Sequence, residues 1–206
     1  MYSEICIIRH GITTGNEQKL YYGSTDVPLA DKGVEELREL TKKKIYPDSD
    51  TAEYYTSGML RTEQSFHIIY NGKEHDVIPE LKELDFGDFE MKNYKELEDV
   101  PEYKEWLNAK AEGAPPPNGE SVDHFKDRVL KGYEKLRNYN AAKCFALRNK
   151  GVTPLTICIC HGGPISVILD SIWPGKYENF YQWIPDPGHG YLLKMEDLKV
   201  VGFERF

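Results

Sequence analysis

The chain has 206 residues, enough for one α/β domain with a substantial core, and 40% hydrophobic and 29% charged residues are ordinary for a globular protein. No run approaches the roughly 18 apolar residues a membrane span requires. Lys and Arg number 26 and Asp and Glu 34, a net charge of −8. That balance argues against a general nucleic-acid binder, which must offset phosphate charge along a tract, but lets a few cations gather in one pocket.

The N-terminus, Met1 to Cys6, has no basic segment leading into a long apolar stretch, so no secretory leader is expected. Three of the four cysteines, Cys6, Cys158 and Cys160, lie in apolar, strand-like runs, where a thiol behaves as a small buried hydrophobe; the fourth is Cys144. Cys158 and Cys160 are two apart, which is neither a zinc nor a CxxC redox spacing. A reduced, cytoplasmic protein is expected.

Glu4 to Ile8 is short, apolar and β-branched, and reads as a buried strand. Loop residues Gly11, Thr13, Thr14, Gly15 and Asn16 follow. Asp31 to Lys44 carries Val34, Leu37 and Leu40 at helical spacing. Ala52 to Thr56 reads as a second strand, and Ser57 as the N-cap of a helix from about Met59 to Tyr70. Short helices are predicted around Asn93–Glu98 and Glu102–Ala111, before a triple proline, Pro115 to Pro117, that cannot continue a helix. Residues 88–120 therefore read as an insertion folded over the sheet.

Ser121 opens a long helix reaching at least Arg137. Leu155 to Cys160 is the clearest buried strand, and it ends in His161-Gly-Gly-Pro164. Ile165 to Ile172 reads as the next helix, with Pro164 at its first position, where a missing N–H costs nothing. Tyr191–Met195 and Lys199–Phe203 form a final hairpin-like pair. Strands alternating with helices predict a single three-layer α/β domain with a mostly parallel central sheet flanked by helices.

Ligands of open α/β sheets collect outside the carboxyl ends of the strands. Here three such ends carry phosphate-handling residues: Arg9-His10-Gly11, the turn from Ser57 to Arg61, and His161-Gly162-Gly163. Each piece alone has a bland reading: a solvated strand end, a surface arginine, a tight turn. Their joint occurrence pairs a nucleophile with a cationic cradle.

The pattern Ile8-Arg-His-Gly-Ile-Thr-Thr-Gly-Asn16, with Tyr22-Gly-Ser-Thr-Asp26 after it, resembles the opening of the histidine phosphatase superfamily, which includes phosphoglycerate mutases and alpha-ribazole phosphatases. Ser57 to Thr62, Glu80 to Glu90, Asn118 to Ser121 with Arg128, and Cys160 to Gly163 resemble its later blocks. The resemblance implies a phosphoglycerate mutase-like fold, with His10 as nucleophile and Glu83 as proton donor. It places Arg9, Arg61 and His161 on the phosphate, with Thr13, Asn16, Gly23 and Gly162 as further phosphate-binding positions. Ile12 stands where many members carry Glu, and Tyr22 where Gln is frequent.

The residue types set requirements. His10 attacks phosphorus only as neutral imidazole, which Arg9 and Arg61 favour by like-charge repulsion of a proton. His161 is expected to act protonated against a dianionic phosphate. The expected function is hydrolysis of a small phosphorylated metabolite through a phosphohistidine, without metal or other cofactor, nucleic acid or membrane. The alternatives are mutase-type phosphoryl transfer and a non-catalytic phosphate-binding relative. The stretch Asp88 to Ser121 contains lysines but no arginine, which favours hydrolysis. His67, His75 and His124 receive no role, and His189 reads as a turn residue.

Overall fold

The computed structural model describes residues 1–109 and 113–206. The strands are β1 (Tyr2–Arg9), β2 (Leu20–Tyr21), β3 (Glu53–Thr56), β4 (Asp76–Val77), β5 (Lys92–Asn93), β6 (Leu155–Cys160), β7 (Gly190–Glu196) and β8 (Lys199–Arg205). The α-helices are α1 (Thr14–Glu17), α2 (Asp31–Lys42), α3 (Leu60–Ile69), α4 (Tyr94–Leu97), α5 (Pro101–Ala109), α6 (Val122–Leu147) and α7 (Gly162–Ile172).

Six strands form the main sheet in the order β4-β3-β6-β1-β7-β8. The pairs β4–β3, β3–β6 and β6–β1 are parallel, and β7 runs against both of its neighbours. Five of the six strands thus point the same way, the mostly parallel arrangement the sequence predicts. β2 and β5 form a separate antiparallel pair.

Alternation along the central strands builds the layers. Ile5 and Ile7 of β1, with Cys158 and Cys160 of β6, face Val129, Tyr133 and Leu136 of α6 and Ile165 and Ile168 of α7. Cys6 and Ile8, with Ile157 and Ile159, face Leu37 of α2 and Phe66 and Ile69 of α3. Both strand faces are covered, which explains why β1 and β6 read as continuous apolar runs. Burying each such isoleucine stabilises the fold by about 1.5–3 kcal/mol. All four cysteines are buried and unpaired.

Residues of the 88–120 stretch form a smaller cluster, with Phe89, Leu97, Tyr103 and Trp106 packed against Tyr21 and Phe86. Asn93 caps α4 through a reciprocal capping box with Glu96. The predicted helix Glu102–Ala111 begins at Pro101 and is described as far as Ala109; its last two residues lie outside the described residues.

Several boundaries differ from the sequence reading for local reasons. The loop after β1 contains α1, because Thr13 and Asn16 cap each other in a capping box. α3 starts at Leu60 with Met59 as the N-cap, so Ser57 is not the cap. α7 starts at Gly162, which puts Pro164 at the third helical position rather than the first; its absent N–H is still among those lacking an intrahelical acceptor. The two-residue strands β2, β4 and β5 are too short to show a period.

Candidate active site

The site begins in strand register. β3, β6 and β1 are adjacent and parallel, with Thr56 opposite Ile159 and Arg9 opposite Cys160. The ladder continues past the strand ends, where Ser57 N–H donates to Ile159 O (3.2 Å) and His10 N–H to Cys160 O (3.1 Å). Ser57, His161 and His10 are therefore the residues that follow three neighbouring strands at their carboxyl ends. The rings of His10 and His161 lie 5.1 Å apart, edge to face.

His10 is 3% exposed. Its Nδ1 lies 2.7 Å from the Gly11 carbonyl oxygen, which can only accept, so Nδ1 carries the proton and Nε2 keeps its lone pair. Burial, then the charges of Arg61 and Arg9, hold its pKa well below the ordinary histidine value. An imidazole in this state is a competent nucleophile.

Arg61 is fully buried on α3. Its Nη1 donates to Thr25 O (3.0 Å), its Nη2 to Gly23 O (2.8 Å) and its Nε to His161 Nδ1 (3.2 Å). Each Nη retains a second N–H for a ligand. The Tyr22 ring lies 5.1 Å from the guanidinium carbon. Arg9 is half-buried and donates from Nη1 to Pro185 O (2.9 Å), while its buried Nε has no partner among the described residues. An unpaired buried guanidinium N–H beside the histidines suits an anion. Gly162 sits against it: a Cβ there would be 3.6 Å from Arg9 Nε.

His161 has a partner at each ring nitrogen. Its Nδ1 accepts from Arg61 Nε, and its Nε2–H donates to Ser57 Oγ (2.8 Å), so the ring is neutral as placed. Burial, followed by the charge of Arg61, holds its pKa well below the usual range. A proton on Nδ1 must arrive with an anion that offsets the arginines.

Glu83 is held at both oxygens. Oε1 accepts from Leu84 N–H (2.9 Å) and Oε2 from Gly163 N–H (3.0 Å). The carboxyl group thus sits on the first turn of α7. Gly163 permits this approach, since a Cβ there would lie 2.2 Å from Glu83 Oε1. Arg128 fixes the segment bearing Glu83, donating to the carbonyls of Glu80 (2.8 Å), Lys82 (3.0 Å) and Glu83 (3.2 Å).

The remaining expected positions divide. Asn16 is half-buried, and its Oδ1 accepts from Thr13 N–H (3.0 Å). Thr13 is fully buried, with its hydroxyl bonded to Tyr22 OH (2.6 Å) and the Asn16 N–H (3.1 Å), so it serves the loop scaffold. Gly23 supplies a carbonyl to Arg61. His189 is a turn residue whose carbonyl accepts from Arg9 N–H (2.9 Å). His75 pairs with Glu63 and His124 with Glu120. Among the described residues, no group of three or more His, Cys, Asp or Glu side chains is placed to hold a metal ion. None of the described helices is long and apolar enough to cross a membrane.

Sequence reasoning missed two residues that build the site. Ser57, read as a cap, is the hydrogen-bond partner of His161. Glu90 accepts from the backbone N–H groups of Gly23, Ser24, Thr25 and Phe86, holding the loop whose carbonyls grip Arg61. Burial pushes the Glu90 carboxyl up, but those N–H groups outweigh it and its pKa ends below the ordinary value. Glu90 ends the block from Glu80 that resembles the superfamily, the one signal in the sequence that could have pointed to it.

The model for the histidine phosphatase superfamily, branch 1, matches residues 5–201. The chain belongs to this superfamily. Among the superfamily's curated members, it is 30% identical over 163 residues to the adenosylcobalamin/alpha-ribazole phosphatase of Escherichia coli K12, covering 77% of this chain and 79% of that one. It is 25% identical over 178 residues to phosphoglycerate mutase-like protein 4 of Arabidopsis thaliana, covering 84% and 72%. The crystal structure of the alpha-ribazole phosphatase from Shigella flexneri superimposes with a TM-score of 0.76 at 25% identity, covering 95% of this chain and 92% of that one. These likenesses support phosphatase activity and a small phosphorylated substrate.

Proposed function

We propose that this histidine phosphatase hydrolyses a small phosphorylated metabolite through a phosphohistidine on His10, without a metal ion. The observation that carries the reading is the state of His10, buried, neutral and protonated on Nδ1, with its Nε2 lone pair beside two guanidinium groups. Arg9 Nε, the second N–H groups of Arg61, and Asn16 Nδ2 bind the phosphoryl oxygens, and the planar guanidinium forks match that geometry. As the dianion enters, the Arg61 Nε–H turns from His161 Nδ1 to a phosphoryl oxygen, Nδ1 takes a proton from solvent, and the Nδ1–H donates to the dianion.

In the first step the Nε2–phosphorus bond forms as the ester P–O bond breaks, and the alkoxide takes a proton from Glu83. In the second, Glu83 removes a proton from water as that water's oxygen displaces Nε2. A general acid contributes roughly 10²–10⁴-fold, whereas phosphate-monoester hydrolysis can need accelerations approaching about 10²¹-fold. Most of the effect is therefore assigned to the cationic clamp and to splitting the reaction in two. Four buried, unpaired cysteines support a reducing, cytoplasmic location.

The test is turnover of p-nitrophenyl phosphate in EDTA, with alkaline-quenched trapping of a radiolabelled phosphoryl group on the protein. We expect turnover with chelator present and base-stable, acid-labile label that His10→Ala abolishes. Turnover lost to chelator, or label retained in His10→Ala, overturns the reading.

A further inference from the structure

The side of the site beyond Glu83 differs in charge from the phosphate clamp. A cleft of about 630 Å³ opens there, lined in part by Lys82, Glu83, Asp85, Glu120, His124 and Arg128. That volume lies within the range of small-molecule sites and holds an alcohol up to nucleoside size. Three of the charged groups satisfy one another. Arg128 donates to both Glu120 oxygens, at 2.9 and 2.7 Å, and His124 Nδ1 lies 2.7 Å from Glu120 Oε1.

Glu83, Asp85 and Lys82 remain. Lys82 is exposed and makes no ion pair among the described residues. Asp85 Oδ1 accepts from Ser24 Oγ (2.9 Å) and Gly87 N–H (2.8 Å), and Oδ2 takes part in neither bond. With Glu83 ionised these three groups sum to −1, and with Glu83 protonated to zero. In neither state does the cleft hold surplus positive charge for a second anion. It does offer an ammonium donor and a carboxylate acceptor together, and a hydroxyl group can satisfy both.

We infer that the protein selects phosphomonoesters of uncharged, hydroxylated alcohols and disfavours alcohols that carry a carboxylate or a second phosphate, with Asp85 setting the discrimination. The inference rests on the hydrolysis reading in one respect: Glu83 as leaving-group acid puts the departing alcohol in this cleft. Like charge across a partly solvated cleft costs a modest amount, so the selection is expected to be about fivefold to tenfold.

Glycerol 1-phosphate and 3-phosphoglycerate form a matched pair, sharing a three-carbon skeleton and a primary ester and differing in hydroxymethyl against carboxylate at the far carbon. We expect kcat/KM to favour glycerol 1-phosphate by about fivefold to tenfold, and Asp85→Asn, which keeps the Oδ1 acceptor, to remove most of that ratio. The same pair titrated calorimetrically into His10→Ala protein should show the same preference in Kd. Equal kcat/KM for the two esters, or a ratio unmoved by Asp85→Asn, overturns the selection and leaves hydrolysis standing. Absent turnover with the binding preference intact overturns hydrolysis and supports the selection; absent turnover with equal binding overturns both.

Discussion

Lowering the pH from 7.5 to 5.5 should destabilise this protein through two side chains. His10 and His161 are buried and neutral, with pKa values held well below 6.5, whereas in the unfolded chain both titrate near 6.5. Below that value the unfolded state binds two protons that the native state does not, so stability falls as the pH falls. Each group contributes about 1.4 kcal/mol per pH unit, and integration across the interval gives a loss of about 3 kcal/mol for the pair. That is a large share of the roughly 5–15 kcal/mol typical of a domain. Glu90 and Glu120, whose pKa values are lowered, titrate at lower pH and contribute little in this window. Urea unfolding at the two pH values measures the loss, and the His10→Gln, His161→Gln double variant should show almost none of it. A wild-type change below about 1 kcal/mol, or a double variant that keeps the full change, would refute two neutral buried imidazoles.

Other perturbations test the supporting residues. Gly23→Ala puts a Cβ 1.6 Å from Leu84 O, a clash with the main chain that should cost about 3 kcal/mol in urea unfolding and remove phosphate binding. Glu90→Gln should raise the inhibition constant of inorganic phosphate by about tenfold, because the carbonyls gripping Arg61 lose their anchor, and it should cost about 1.5–3 kcal/mol of stability. Ser57→Ala leaves the His161 Nε2–H buried without an acceptor, so a loss of about 1–3 kcal/mol is expected, with slower phosphorylation of His10 in a rapid-quench assay.

The central elements were legible because both faces of β1 and β6 are buried and the sequence shows it as unbroken apolar runs. The clustering of His10, Arg61 and His161 was legible as well, since motif residues that end parallel strands must share one edge of the sheet. What stayed hidden depends on contacts distant in sequence. Ser57 looked like a cap because a hydroxyl before a helix usually is one, and its bond to His161 spans 104 residues. Glu90 binds backbone more than 60 residues away, which no local period records. The neutral ring of His161 without a bound anion was not legible either, because it follows from the Arg61 N–H aimed at Nδ1, a contact across 100 residues.

The lateral pairing of β3, β6 and β1 has a consequence for how such a protein can diverge. Segments that join the strands can lengthen, shorten or be replaced, and His10 and His161 keep their spacing because main-chain ladders fix it. A single-residue deletion within Leu155–Cys160 would instead turn every later side chain of that strand to the opposite face and carry His161 out of its row. Insertions and deletions should therefore be tolerated better in the exposed turns that join the elements than within the two central strands.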